Sequence, residues 1–217
     1  MSTVVPVARV HPTALVEDGV SIGEGTSVWD NVHVRGPGPT IGRHCIVGEK
    51  TYVAYGVAIG DLVKVNAFVY ICNAVTIEDG VMVSAGVTFT NDRYPRATTS
   101  DLREPRASEP DEHTLATLVR AGATIGARAT IGPGITLGRF SMVGMASVVT
   151  RSVPDFHLVV GHPARSVALL CRCGEPFARA DADGGFPDIS SAGCTVCGLR
   201  YAVQGGNVTE PAAGQGS

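Results

Sequence analysis

The sequence predicts an all-β chain wound as a parallel β-helix, and three observations carry that prediction. Aliphatic residues return at nearly every sixth position through most of the 217 residues. Aromatic residues make up 6% of the chain against a hydrophobic content of 44%, so the core must be built from small aliphatic side chains. Glycine is abundant at 27 residues, above average usage but without the period of collagen.

From Cys45 the chain divides into hexads without a gap: CIVGEK, TYVAYG, VAIGDL, VKVNAF, VYICNA, VTIEDG, VMVSAG and VTFTND. The third positions are Val47, Val53, Ile59, Val65, Ile71, Ile77, Val83 and Phe89. The pattern runs upstream through ALVEDG, VSIGEG, TSVWDN and VHVRGP, slips by one residue in GPGPT, and resumes after an interruption from TLVRAG to SVVTRS. A helix needs apolar residues three and four apart, which these units do not sustain. Plain strand alternation explains positions one and three but not the polar and small residues at four to six. A short strand followed by a tight corner explains all of them. Small corner residues such as Gly60, Gly126, Gly138 and Gly144 are expected to let the backbone turn sharply, and β-branched residues suit the flat faces. Three hexads make a triangular coil of about eighteen residues, and roughly six such coils stack with parallel strands. Known prisms of this kind wind left-handed, against the usual crossover rule.

The boundaries follow from the rhythm. Residues 8–155 form the prism, broken by an extruded loop over 91–116. A connector follows over 156–170, a four-cysteine segment over 171–202, and a tail over 203–217 whose composition predicts disorder. A net charge of −3 with scattered Lys and Arg leaves no footprint for nucleic acid. The start, MSTVVPVARV, lacks the features of a signal peptide, and no apolar run approaches a membrane span. A soluble cytoplasmic protein with no membrane partner is expected.

A stiff prism has no deep pocket, so chemistry requires a loop or a neighbouring prism. The loop NDRYPRATTSDLREPRASEPDEHTLA brings polar groups of both charges out of the prism edge together, and loops this long inside compact domains are usually functional or disordered. Asn91 stands where the last regular strand ends, and its amide offers a donor and an acceptor. His33, second in VHVRGP, points away from the prism axis and suits proton transfer near neutral pH.

With their outward loop, the hexads resemble the hexapeptide-repeat acyltransferases. The stretches VTFTNDRYPRA, LVRAGATIGARATIGPGITLG and VVTRSVPDFHLVVGHPARSVA resemble the nucleotide-linked 3-amino-sugar N-acetyltransferases over about residues 8 to 170. The resemblance implies a homotrimer with sites between neighbouring prisms, acetyl-CoA as donor, and a dTDP- or UDP-linked amino sugar as acceptor. It implies Asn91 as the residue orienting the amine or the thioester carbonyl, and His33 as base or substrate contact. Asp92, Arg93, Tyr94 and Arg96 become candidates for the sugar or nucleotide. Arg151 and Arg165 become candidates for the CoA phosphates, and Gly126, Ala127 and Gly144 for close approach of the pantetheine arm. Relatives often carry an acidic residue where this chain has Asn73, which puts the usual amino-sugar acceptor in question. The alternatives are an acyltransferase of the same fold acting on a hydroxyl, and a non-catalytic scaffold. A zinc site of the γ-carbonic anhydrase kind finds only His157 and His162, both after the last coil, with no third His nearby.

Of the six cysteines, Cys45 and Cys72 lie inside the regular region and read as small buried fillers. Cys171 and Cys173 in CRCG, with Cys194 and Cys197 in CTVCG, read as two knuckles of a zinc-ribbon-like site with four thiolate ligands. The first knuckle is one residue tighter than the common form. The segment is too small to hold a core alone, so metal would supply its folding energy. Four thiolates leave no open position, which makes the predicted zinc structural.

Overall fold

The computed structural model describes residues 7–210. It is all-β, a three-faced parallel β-helix of two- and three-residue strands. One face ends in a ten-stranded sheet, whose last two strands are antiparallel additions; the other faces have seven and six strands. Register shows the coil length directly. Lys64 pairs with Met82 and Tyr52 with Tyr70, whereas Ser27 pairs with Ile46 and His33 with Tyr52, one residue longer. The extra residue is the slip read in GPGPT.

The interior is a column of third-position side chains. Val47, Val53, Ile71, Val83, Ile125 and Ile131 are buried, and first-position residues such as Val57, Val63, Val69 and Val75 are buried beside them. The parallel prism holds one to two coils more than the expected six. An early coil carries Arg9–Val10, Leu15–Val16 and Ser21–Ile22, where the pattern is diluted because Val10 and Leu15 are exposed. A last, shortened turn pairs Val143 with Val159 and Leu137 with Val153, spacings that leave no hexad to read.

The corner glycines serve another purpose than the one expected of them. A Cβ on Gly126 would lie 2.6 Å from Met145 N and from Val143 O, so the next coil fills the space. The left-handed backbone sits two residues later, on non-glycine residues such as His44, Leu62, Arg128 and Phe140, with φ of 54°, 60°, 60° and 52°. Each such residue carries a local penalty of about 1–2 kcal/mol, which the ladder bonds above and below offset. Glycine here permits close stacking of coils.

The break at Asn91 is where the rhythm predicts it, and strand Thr117–Val119 rejoins the column by pairing with Val75–Ile77. Between them the loop folds back on itself through antiparallel bridges Asp92–Thr114 and Thr98–Pro105. The segment expected as a connector is instead a hairpin. His157–Gly161 continues the prism face, and Ala164–Leu170 runs back beside it because the turn at Gly161–Ala164 lets the chain reverse. Pro176–Arg179 then pairs with Ala164–Leu170. A separate antiparallel sheet follows, built from Ile189–Gly193, Arg200–Gln204 and Asn207–Thr209. The tail expected to be disordered from 203 is therefore ordered to 210, since Val203 and Val208 pair across this sheet; residues 211–217 lie outside the described residues. No helix among the described residues is long and apolar enough to cross a membrane.

Candidate active site

One corner of the prism carries Tyr55, Asn73 and Asn91, one residue per coil, each two positions after its strand: Tyr52–Val53, Tyr70–Ile71 and Thr88–Phe89. Asn73 Nδ2 donates to Tyr55 Oη at 3.2 Å, and Asn91 Nδ2 donates to Asn73 Oδ1. The three side chains thus make a vertical ladder without a formal charge. Leu115 N donates to the Asn91 carbonyl at 2.8 Å, and Arg93 N to the His113 carbonyl at 3.1 Å, so the returning end of the loop is pinned beside this ladder.

Ladder and loop enclose a polar cavity of about 110 Å³, lined by Asn73, Asn91, Asp92, Arg96, Arg106 and Asp111 among others. Arg106 Nη2 lies 2.5 Å from Asp111 Oδ2 and its Nη1 donates to the Tyr94 carbonyl at 3.2 Å. Backbone donation from His113 N, then Arg106, holds the Asp111 carboxyl below its ordinary range. Asp92 Oδ1 is enclosed and has no protein partner. Four sequence-predicted residues therefore meet here: Asn91, Asn73, Asp92 and Arg96. Arg93 and Tyr94 do not; they are exposed, with the Arg93 guanidinium 5.5 Å from the Tyr94 ring centre.

His33 stands elsewhere in the chain. It is the outward residue of His33–Val34 on the second face, in register with Tyr52 and then Tyr70. Its ring meets Tyr52 edge-on at 5.3 Å, and Tyr52 stacks on Tyr70 at 5.3 Å. Asn91 follows Thr88–Phe89, the strand one level beyond Tyr70. Strands are about 4.8 Å apart, so His33 lies about 14 Å down the axis from Asn91. One chain alone does not bring the two predicted catalytic residues together. His33 Nε2 is 2.6 Å from Glu17 Oε1, while Glu17 Oε2 accepts from Gly36 N at 3.2 Å. The bond to His33 is the largest influence lowering the Glu17 pKa.

At the far end, Arg151 and Arg165 line a second cavity of about 150 Å³ with Ser152, Pro154, Ala164 and Ser166. The predicted pair of arginines is thus brought together. Gly126, Ala127 and Gly144 do not line it; a Cβ on Gly144 would lie 2.7 Å from Val160 Cγ1, and Ala127 O accepts from Ala146 N at 2.8 Å.

Cys45 and Cys72 are buried in the prism, and burial pushes the Cys72 thiol up to about 11, which makes it inert. The other four cysteines converge: the Sγ atoms of Cys171, Cys173, Cys194 and Cys197 all lie within 4.8 Å of one another. Backbone donation from Cys197 N and then Val196 N holds the Cys194 thiol below its ordinary range. His157 and His162 do not join a metal cluster; His157 is buried against Ser166 and Gly206.

Sequence reasoning passed over Glu17, Tyr55, Tyr70 and Arg106. For two of them a signal was present: Tyr55 lies one coil before Asn73 on the same corner, and Tyr70 lies two coils beyond His33 on the same face. For Arg106 none was, since it reaches the cavity through the fold of the loop.

The chain resembles known proteins over part of its length. The family described as the hexapeptide repeat of succinyl-transferase matches residues 40–73 and 121–151. A dTDP-3-amino-3,6-dideoxy-α-D-galactopyranose 3-N-acetyltransferase of Aneurinibacillus thermoaerophilus is 35% identical over 94 residues, 43% of this chain and 44% of that protein. The match therefore spans less than half of that relative. Among solved structures, the hexapeptide-repeat containing acetyltransferase VCA0836 from Vibrio cholerae aligns at 24% identity and a TM-score of 0.49, covering 69% of this chain and 73% of that one. A point mutant of AntD, an N-acyltransferase from Bacillus cereus in complex with dTDP and coenzyme A, aligns at 21% identity and a TM-score of 0.46, covering 77% of this chain and 85% of that one.

Proposed function

We propose that the chain is a CoA-dependent N-acetyltransferase that moves an acetyl group from acetyl-CoA to the amino group of a dTDP- or UDP-activated 3-amino-deoxy sugar. The observation that supports this most strongly is the polar cavity at the root of the loop, where the Asn91 amide heads a hydrogen-bonded ladder in a chain similar to an amino-sugar acetyltransferase. The amine nitrogen attacks the thioester carbon, the C–N bond forms and the C–S bond breaks. CoA departs as thiolate, and the proton shed by nitrogen passes to it directly or through a base. Asn91 and Asp92 orient the acceptor in the cavity, with Arg96 and Arg106 offering planar donors to anionic oxygens. Holding amine and thioester in line supplies most of the rate gain expected of such a site.

His33 stands three levels from Asn91 in its own chain, so we read it as a contact for a substrate lying along the seam with a neighbouring prism and not as the base at Asn91. A homotrimer is the assembly this reading requires. The exposed flank of Tyr70 beside Tyr52 and His33 is the surface a neighbour would face. Light scattering should then return three times the 22.4 kDa chain mass. A monomer in solution removes His33 from the chemistry.

A second acceptor class is favoured by one feature. Asn73 and Asn91 place no negative charge on the ladder, so the ladder itself does not select an amine over a hydroxyl, and Asp92 is the unpartnered carboxylate beside it. Mass spectrometry of products from dTDP-3-amino sugars and from their 3-hydroxy counterparts separates the two; acetylation of the hydroxyl sugar alone overturns the amino-sugar reading.

The four-cysteine cluster we read as a structural zinc site. A tetrahedral zinc with bonds of about 2.3 Å sets its sulfurs about 3.8 Å apart. Here Cys171 Sγ–Cys197 Sγ is 3.3 Å and Cys173 Sγ–Cys194 Sγ is 3.6 Å, so the donor set fits with small adjustment. Bound there, the ion would supply folding energy and no open coordination position.

A further inference from the structure

A stacked prism needs its end closed, because the last coil otherwise exposes the apolar column. In this chain the closure is a second core. Phe156, Tyr201, Cys171 and Cys194 are buried together, with Phe140 and Phe177 packed against them. Phe177 stacks on Tyr201 at 4.8 Å and Phe140 on Phe156 at 5.6 Å. Two of the four sulfur-bearing residues are therefore core members of the cap.

The cap has two parts with different attachments. The strand Ala164–Leu170 and its partner Pro176–Arg179 extend the ten-stranded prism sheet. The three strands Ile189–Gly193, Arg200–Gln204 and Asn207–Thr209 form a sheet of their own, with no strand pairing to the prism among the described residues. Cys171 and Cys173 sit in the turn of the first part, Cys194 and Cys197 in a turn of the second. Both turns use a left-handed glycine, Gly174 at φ 92° and Gly198 at φ 77°. Around the sulfurs, Tyr201 Oη donates to Cys171 Sγ at 3.1 Å and accepts from Arg172 N at 3.0 Å. A four-sulfur metal centre would join the two parts beside the Phe177–Tyr201 stack, the Tyr201 bond to Arg172 N and the Arg172–Glu210 ion pair.

The strand that leads into Cys171 also builds the second cavity. Its first residues, Ala164, Arg165 and Ser166, line that cavity opposite Arg151. Ser166 Oγ bonds His157 Nδ1 at 2.9 Å, and His157 Nε2 bonds the Gly206 carbonyl of the separate sheet at 3.0 Å. One wall of the groove is thus connected to the separate sheet twice, through the sulfurs at one end of the strand and through His157 at the other.

We propose that the four cysteines bind a zinc ion that fastens this cap, and that metal binding and coenzyme binding in the Arg151–Arg165 groove are thereby coupled. The proposal rests on the coenzyme reading above. Without the ion the separate sheet is held by the aromatic core and the Arg172–Glu210 pair alone and opens more readily; on opening, His157 loses its second partner and the wall carrying Ser166 and Arg165 loosens. Coupling between two sites is reciprocal: CoA tightens zinc by the same factor that zinc tightens CoA.

The test uses the full chain as purified. Elemental analysis gives metal per chain. Competition against a chromophoric chelator gives the zinc Kd with and without saturating CoA, and calorimetry gives the CoA Kd for the zinc-loaded wild type and for Cys194→Ser/Cys197→Ser. The expected result is one zinc per chain, zinc held about fivefold or more tighter with CoA present, and CoA binding weakened by a similar factor in the double variant. The wild-type chelator titration needs no variant, so misfolding of the serine protein leaves the proposal falsifiable. Stoichiometric zinc with the same zinc Kd with and without CoA overturns it. Less than stoichiometric zinc overturns it together with the zinc reading. Zinc-loaded protein that gives no heat with CoA overturns it through the coenzyme reading, a different outcome from binding that ignores the metal.

Discussion

In the prism the core is mostly aliphatic and repeats by coil, with Val65, Ile71 and Ile77 at the third positions of one coil beside Val63, Val69 and Val75 at the first, and each coil touches only the coils above and below. In the C-terminal cap the core is aromatic and sulfur: Phe156, Tyr201, Phe177, Cys171 and Cys194, drawn from segments about forty residues apart. The prism is stabilised by repetition. Losing one rung costs that rung and its neighbours. The cap has no repeat, and its small core joins two sheets around the four cysteines. Function divides along the same line. Rigid coils position the Tyr55–Asn73–Asn91 ladder to within a hydrogen bond, while the cap lies against the second cavity.

The comparison is broken most severely from the prism side. Ile71→Ala empties a fully buried rung and should lower unfolding free energy by about 2–5 kcal/mol in a denaturant titration; a loss below about 1 kcal/mol would mean that the column does not carry the prism. Next in size, Asn91→Ala should reduce kcat/KM about 100-fold, about 2.7 kcal/mol, while CoA affinity by calorimetry stays unchanged. Equal loss in both would move Asn91 from acceptor to donor binding. Third, chelation should strip amide-exchange protection from residues 189–209 and leave 45–90 protected; loss of protection in both would show one cooperative unit instead of two.

The smallest effect is one of pH. Burial holds the His157 pKa below the ordinary imidazole value of about 6.5. The unfolded chain then binds more protons between the folded and the unfolded pKa, so His157 stabilises the fold above about pH 6.5 and loses that contribution as pH falls toward its folded value. Melting temperature should drop between pH 7 and 5.5, and His157→Gln should drop less over the same interval. Parallel slopes for the two proteins would place the acid sensitivity elsewhere.

Two members of the ladder, Asn73 and Asn91, were named from the sequence, but their pairing one coil apart on the same corner, and Tyr55 below them, were passed over. The cavity around them was not legible. Arg106 arrives through the loop's antiparallel return, a pairing with no period to betray it. His33 was legible as an outward residue, but its bond to Glu17 follows from the previous coil's corner geometry. The corner glycines were visible and their reason was not, because close approach of the next coil shows only when the coils are stacked.

What repetition encodes can be counted along the chain. The strand positions, the parallel stacking, the break at Asn91 and the re-entry at Thr117 all follow from a six-residue period, because each repeat meets only its neighbours in sequence. What depends on distant segments could be settled only by the folded chain: four sulfurs within 4.8 Å, His157 reaching Gly206, Asp92 Oδ1 enclosed beneath the loop, and His33 standing about three strand spacings, some 14 Å along the axis, from Asn91. Such contacts are long-range pairings whose partners share no register, and packing alone decides them.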